Sequence, residues 1–382
     1  MTSFCRLRAT PAPGHCCGLK SARRSAVALA GRSPPILRAW FLLASSVLAV
    51  LLLAGCKSGP QTTPLRRFEF THPAMGTLFG LTLFAADEAS ARSAAQAAFR
   101  RIDALEDIMS DYQAGSELMR LCEEPPGKPV PVSADLFDVL QRAQKIARAS
   151  DGAFDITVGP YVRLWRFARK RKEPSNPTAM SAAAAAVGYE KIRLDPRTWT
   201  VTLLVPNMRL DLGGIAKGYA ADAALRALKG RGVTRALVAA SGDIALGDPP
   251  PGQRAWKVEI SGLNAGTNGA GQKLLLHNCG ISTSGDTEQS IEIGGTRYSH
   301  ILNPRTGLGL TNRIQATVIA PDATTTDALA TAVCVLGPHR GLALVESMPR
   351  TATSVFTKEG NQLHPYASQR FKKILKSQVA GK

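Results

Sequence analysis

Apolar positions along the chain recur at two spacings, and together they predict strands interleaved with helices. Phe68–Phe84 is strand-like around Ala74-Met75-Gly76-Thr77. Glu88–Met109 puts Ala91, Ala95, Ala98, Ile102, Leu105 and Met109 at helical spacing, which predicts an amphipathic helix. Ser133–Ser150 predicts a second one, with Ser133 as N-cap and Leu136, Val139, Leu140, Ala143 and Ile146 facing inward. Gly152–Pro160 reads as a loop leading into a helix or strand, and Ser181–Val187 as an alanine-rich helix. Trp199–Val205 and Arg209–Leu212 read as strands parted by a Pro206-Asn207 turn. Leu210–Lys229 has the order strand, glycine pair, helix, with the helix starting at about Ile215. Ala236–Ala240 is a buried strand ending in the Ser241-Gly242-Asp243 turn. Ser290–Ile293 and Tyr298–Leu302 flank Gly294-Gly295, a hairpin pattern, and Asn303–Gly307 then breaks the second strand. Arg313–Ile319 is a further strand, Thr324–Asp327 caps a helix over Ala328–Leu336, and residues 368–382 read as a basic tail.

Composition adds compartment and charge. The chain has 382 residues, 45% hydrophobic and 20% charged, enough for a sizeable core in one large domain or two small ones. Its formal net charge is +18, and removing residues 1–56, which hold seven basic and no acidic side chains, lowers it to +11. That balance favours anionic ligands or a phospholipid surface. Nucleic acid is not expected as a partner, because no basic stripe with interleaved aromatics occurs. Trp40–Ala54 is an apolar run of signal-peptide length, and Leu53-Ala54-Gly55-Cys56 resembles a bacterial lipobox. The expectation is a cleaved segment 1–56, a lipid on Cys56, a polar tether over 57–66, and a lipid-anchored protein facing the periplasm in the cell envelope. Lys57 after Cys56 leans toward the outer membrane. Beyond the pre-sequence and Cys56, only Cys122, Cys279 and Cys334 remain. An odd count without C-x-x-C argues against a disulfide framework or a zinc site.

Three places carry candidate chemistry. Gly213-Gly214 lets backbone approach a ligand closely, and the following helix aims free N–H groups at it. Lys217 sits in that helix's first turn, where the dipole gives it nothing, so it points to an anionic partner such as a diphosphate. Asp327 and Thr331, four apart, share a helix face and suit a hard cation, although Asp327 taken alone is better explained as a cap. His300 lies near a strand end and can move a proton near neutral pH; taken alone it reads as a satisfied strand histidine.

Five ordered motifs resolve these alternatives. They are G-A-F-D-I-T-V-G-P at Gly152–Pro160, L-D-L-G-G-I-A-K-G-Y-A-A-D at Leu210–Asp222, S-G-D at Ser284–Asp286, Y-S-H-I-L-N-P-R-T-G at Tyr298–Gly307 and D-A-L-A-T-A at Asp327–Ala332. Their set resembles the ApbE family of FAD:protein FMN transferases, from about Ala74 to about Leu336. The resemblance implies one domain over 67–367, an α+β fold with mixed and antiparallel sheets, packed helices and FAD in a cleft. It implies that Met75, Tyr112, Ala153, Phe154, Asp155, Asp211, Lys217 and Ile301 contact FAD. It implies Mg²⁺ on Asp327, Thr331 and the Gly214 carbonyl, and His300 as general base for a Ser or Thr hydroxyl of an acceptor flavoprotein. The chain departs from the family at Thr287 and Ser290-Ile291, where aromatics are common, and at Ile156, where Pro is usual. One flavin or adenine stacking contact is therefore expected to be absent or supplied from elsewhere. A hydrolase releasing FMN and AMP, a flavin-binding lipoprotein without chemistry, and a flavin-free envelope protein remain as alternatives.

Overall fold

The computed structural model describes residues 64–260, 272–285, 290–360 and 362–379. The signal segment, Cys56, most of the tether, the 263–271 loop, Asp286 and Thr287 lie outside the described residues.

The chain opens with a hairpin, β1 (Arg66–Ala74) and β2 (Thr77–Ala85), in register from Arg66 opposite Ala85 to Ala74 opposite Thr77. Its two-residue turn holds Met75 at φ 50° and Gly76 at φ 69°. Two positive φ values match the twist of paired strands, but Met is an unusual residue for the first of them. α1 (Glu88–Met109) follows, capped by Asp87, and buries the alanine-rich stripe read from its periodicity. Then come α2 (Glu117–Glu123), β3 (Val130–Pro131) and α3 (Ala134–Ala149), whose N-cap is Ser133. A 3₁₀ turn at Ile156–Val158 leads into α4 (Gly159–Arg171), followed by α5 (Pro177–Ala186), β4 (Ile192–Asp195) and β5 (Thr200–Leu203). β3, β5 and β4 form a small antiparallel sheet.

The second half supplies α6 (Ala216–Gly230), β6 (Ala236–Ala240), β7 (Asp243–Leu246), the β8 (Trp256–Ile260) and β9 (Gln272–Leu276) pair, and β10 (Cys279–Gly285). β11 (Ser290–Ile293) and β12 (Thr296–Ser299) make a separate hairpin, and β13 (Arg313–Ala320), α7 (Ala323–Ser347), β14 (Ala352–Glu359), β15 (Gln362–Ala367) and α8 (Gln369–Val379) complete the order. The main sheet has eight strands in the order β1-β2-β6-β7-β10-β13-β14-β15, and every pairing in it is antiparallel. One face carries α1, α6 and α7, with Val238, Ala316 and Val318 in that core. Their neighbours Leu237 and Ile319 point the other way, into a second core with Trp256, Val258, Leu274 and Phe371. The two-residue period of strands thus splits one sheet between two cores.

Four sequence expectations change. Tyr298–Leu302 is not one strand: β12 ends at Ser299, because the Ser299 hydroxyl accepts from the Ile301 N–H (3.1 Å) and turns the chain. Arg209–Leu212 is not a strand and pairs with no sheet; its Leu210 and Asp211 N–H groups go to Cys122 Sγ and to the Ile156 carbonyl. The helix read over Ala328–Leu336 runs from Ala323 to Ser347, broken at Gly337 (φ 74°) before Pro338. It is long and apolar enough to cross a membrane, yet half of that apolar window is buried in the fold, where it serves as a core helix. The stretch read as a basic tail forms α8, which seats Phe371, 1% exposed, in the second core.

Candidate functional site

The irregular segment before α6 sets up the site. Asp211 Oδ1 accepts the Gly213 N–H at 2.8 Å, fixing the glycine pair. Lys217, in the first turn of α6, folds back so that its ammonium donates to the Gly213 carbonyl at 3.0 Å. The same ammonium lies 3.2 Å from Asp243 Oδ2, at the start of β7, and 3.7 Å from Asp327 Oδ2 on α7. The Gly218 N–H donates to that Asp327 oxygen at 3.0 Å. α6 and α7 can approach this closely because residue 218 has no side chain: a Cβ there would stand 2.2 Å from the Ala323 carbonyl oxygen and 2.9 Å from Asp327 Cβ. Asp222, one turn further along α6, accepts the Ala323 and Thr324 N–H groups at 3.0 and 2.8 Å. The start of α7 is therefore pinned to α6, and Asp327 is delivered to Lys217.

The electrostatics follow from burial. Burial and the neighbouring Asp243 charge push Asp327 up to about 7, against the pull of Lys217. Burial alone would lower Lys217, but the charges of Asp243 and Asp327 outweigh it and hold the ammonium above its ordinary value. With both carboxylates ionised the cluster would carry more negative charge than one lysine neutralises, so Asp327 keeps its proton up to about 7. Gly214 stands beside it. A Cβ on Gly214 would fall 3.2 Å from Phe154 Cε2 and 3.2 Å from Thr331 Oγ1, so the ring and the hydroxyl converge on bare backbone. Asp327, Thr331 and Gly214 thus offer a carboxylate, a hydroxyl and main-chain oxygen, donors that fit a hard cation. Among the described residues no group of three or more His, Cys, Asp or Glu is arranged for a metal, so this set would need phosphate or water oxygens to complete it.

A second cluster adjoins the first through Asp211. Arg166 on α4 pairs with Asp111 and lies 3.7 Å from Asp211 Oδ2. Its guanidinium sits 3.9 Å from the centre of the Tyr112 ring, and Tyr112 is 78% exposed. Burial and the Asp111 charge raise Asp211, while the Gly213 N–H, Arg166 and Lys217 oppose the rise. The preceding residue on α4, Trp165, donates its indole N–H to the Gly307 carbonyl at 2.7 Å and packs against Tyr298 with ring centres 5.0 Å apart. α4 therefore touches both the Tyr112 side and the segment that carries His300, which is exposed in the bend just past β12. Arg305 is committed to Asp151, donating to its carbonyl at 2.9 Å, which ties the N-P-R-T-G turn to the loop preceding Ala153.

The remaining expected contacts are placed less directly. Asp155 is buried, and its Oδ1 accepts both the N–H and the hydroxyl of Thr157 at 2.8 and 2.7 Å, so its carboxylate caps the 3₁₀ turn. Burial raises its pKa. Ala153 and Ile301 are buried, and Met75 is half-buried at the hairpin tip against the main core. Sequence reasoning gave no role to Asp243, Asp111 or Arg166. The signal at Asp243 was a buried apolar strand ending in a lone carboxylate; for Arg166 it was a cation beside Trp165 on a half-buried helix.

The family model for the ApbE family matches residues 75–356. The FAD:protein FMN transferase of Salmonella typhimurium is 32% identical over 347 residues, covering 88% of this chain and 98% of that protein. That of Klebsiella pneumoniae is 30% identical over 342 residues, covering 88% and 97%. Among solved structures, the flavin transferase ApbE from Vibrio cholerae superimposes with a TM-score of 0.72 at 28% identity, over 81% of this chain and 99% of that one. The apo form of the Pseudomonas stutzeri flavinyl transferase ApbE does so with a TM-score of 0.72 at 28% identity, over 82% and 98%. With sequence and fold in agreement over most of its length, the chain belongs to the ApbE family.

Proposed function

We propose that this chain transfers FMN from FAD to a Ser or Thr hydroxyl of an acceptor protein, releasing AMP. The observation that carries the reading is the meeting of Lys217, Asp243 and Asp327 beside Gly213-Gly214. There a cationic side chain and bare backbone line a site fit for a diphosphate. The names of the relatives support the choice of substrate. Lys217 binds the bridging phosphates. Tyr112 offers a ring face to one planar half of FAD, Phe154, 4% exposed, backs the Gly214 turn from the core, and Asp211 fixes the glycine turn. Asp327, Thr331 and the Gly214 carbonyl would hold Mg²⁺, which supplies positive charge against the diphosphate when bound. His300 accepts the proton of the attacking hydroxyl. The acceptor oxygen forms its bond to the FMN-side phosphorus, the bond from that phosphorus to the bridging oxygen breaks, and AMP leaves with the electron pair.

The setting we propose is the bacterial cell envelope, with a lipid on Cys56 and the domain facing the periplasm. The L-A-G-C sequence at Leu53–Cys56 supports it. The test incubates the purified protein with FAD, Mg²⁺ and a peptide bearing a flavin-acceptor Ser or Thr. The expected result is a flavin-labelled peptide with an equal amount of AMP. Free FMN and AMP without labelled peptide would overturn the transferase reading in favour of hydrolysis.

A further inference from the structure

Tyr112 lies in the loop after α1, Arg166 on α4, and Asp211 in the segment leading to Gly213-Gly214. The three are far apart in sequence, yet one guanidinium joins them: it pairs with Asp111, reaches Asp211 Oδ2 at 3.7 Å, and stacks 3.9 Å from the Tyr112 ring centre. An exposed tyrosine in a loop would ordinarily lose rotamer freedom on binding a ligand. Here the ring is held on one side by a planar cation that is itself fixed by two carboxylates, while the residue stays 78% exposed. Such a ring is a platform built before the ligand arrives, which lowers the ordering cost of binding. The same guanidinium sits between the Asp111 and Asp211 carboxylates, whose mutual repulsion would otherwise pull the Tyr112 loop away from the glycine turn.

We infer that Arg166 is a positioning residue, which fixes the Tyr112 ring as a stacking platform for one planar half of the dinucleotide and ties that platform to the Gly213-Gly214 turn. This inference rests on the reading of the site as an FAD site.

The test measures FAD affinity by quenching of flavin fluorescence, melting temperature, and kcat and KM for flavin transfer, on full-length wild type, Arg166→Ala, Arg166→Lys, Tyr112→Leu and the double variant Arg166→Ala/Tyr112→Leu. Arg166→Ala is expected to raise the Kd and KM for FAD about two- to fivefold, the size of a solvent-exposed cation–π contact, with kcat at saturating FAD nearly unchanged. Arg166→Lys keeps the charge between Asp111 and Asp211 but lacks the planar face, so it should restore the melting temperature and leave FAD affinity low. In the Tyr112→Leu background, Arg166→Ala should add little further loss, because the residue it acts through is gone. Separate titrations with FMN and with AMP identify the stacked half, as the one whose affinity Arg166→Ala lowers. Wild-type affinity in Arg166→Ala, full recovery of affinity in Arg166→Lys, or losses that simply add in the double variant would overturn the proposal. A wild type that binds FAD without transferring it would sink the transferase reading, and the affinity series would still decide the role of Arg166.

Discussion

His300 and Asp327 carry different parts of the proposed reaction. His300 is exposed in the bend past β12, held by a segment that Trp165 ties down at Tyr298 and Gly307. An exposed imidazole there adds little to the core, so His300→Asn should fold and bind FAD normally. Flavin transfer should fall by about 10²–10⁴, the usual share of acid–base catalysis. A variant that transfers at the wild-type rate would remove His300 from the mechanism. Asp327 is 2% exposed and accepts from Gly218 while facing Lys217. Asp327→Ala should abolish transfer and any Mg²⁺-dependent rise in melting temperature. Thr331→Ala should weaken both less, because a neutral donor gives up less than a carboxylate. Equal Mg²⁺-induced shifts in wild type and Asp327→Ala, measured by thermal denaturation, would take Asp327 out of the cation site.

At the scale of elements, the site depends on how closely α6 crosses α7. Gly218→Ala would drive a methyl group toward the Ala323 carbonyl, an overpacking expected to cost about 1–3 kcal/mol and to lower FAD affinity by displacing Asp327. Gly230→Ala, at the end of the same helix with nothing near the added methyl, should be neutral or slightly stabilising. Equal melting temperatures for the two variants would mean that the crossing tolerates the methyl. The helices themselves were legible in sequence wherever an apolar stripe or a cap marked them, as in α1 and in α3 with its Ser133 cap. Less legible was what tertiary contacts decide. The Ser299 hydroxyl ends β12 early, and the 208–212 segment finds partners in Cys122 and Ile156 rather than in a strand. α8 hid its buried Phe371 among lysines and an arginine. The site divided the same way. Lys217, Asp327 and Thr331 were candidates from helix spacing and motif, while Asp243 and Arg166 make their contacts with residues distant in the chain, a relation no local pattern carries.

At the scale of the whole molecule, an excess of buried carboxylates ties stability to pH. Burial raises Asp155, Asp211, Asp222 and Asp327, each opposed by local hydrogen bonds or cations. Asp327 carries the clearest window, from the ordinary 3.8 of an unfolded chain to about 7 in the fold. Between those values the folded protein holds a proton that the unfolded chain has released, so the fold is favoured at the acid end and loses that advantage as pH rises through the window. Above about 7 the Asp327 contribution levels off, because both states are then ionised. A divalent cation on the carboxylate reverses the balance: it binds the ionised folded form, so its stabilisation should grow as pH rises. Melting temperatures across pH 5–8 in EDTA should therefore fall as pH increases, and in Mg²⁺ they should fall less or not at all. Asp327→Asn, which keeps the shape and removes the titration, should flatten the EDTA curve and lose the Mg²⁺ effect. If the variant kept the wild-type slope, the pH dependence would belong to the other buried carboxylates. If Mg²⁺ stabilised the protein equally at pH 5 and pH 8, the cation would not be binding the ionised Asp327.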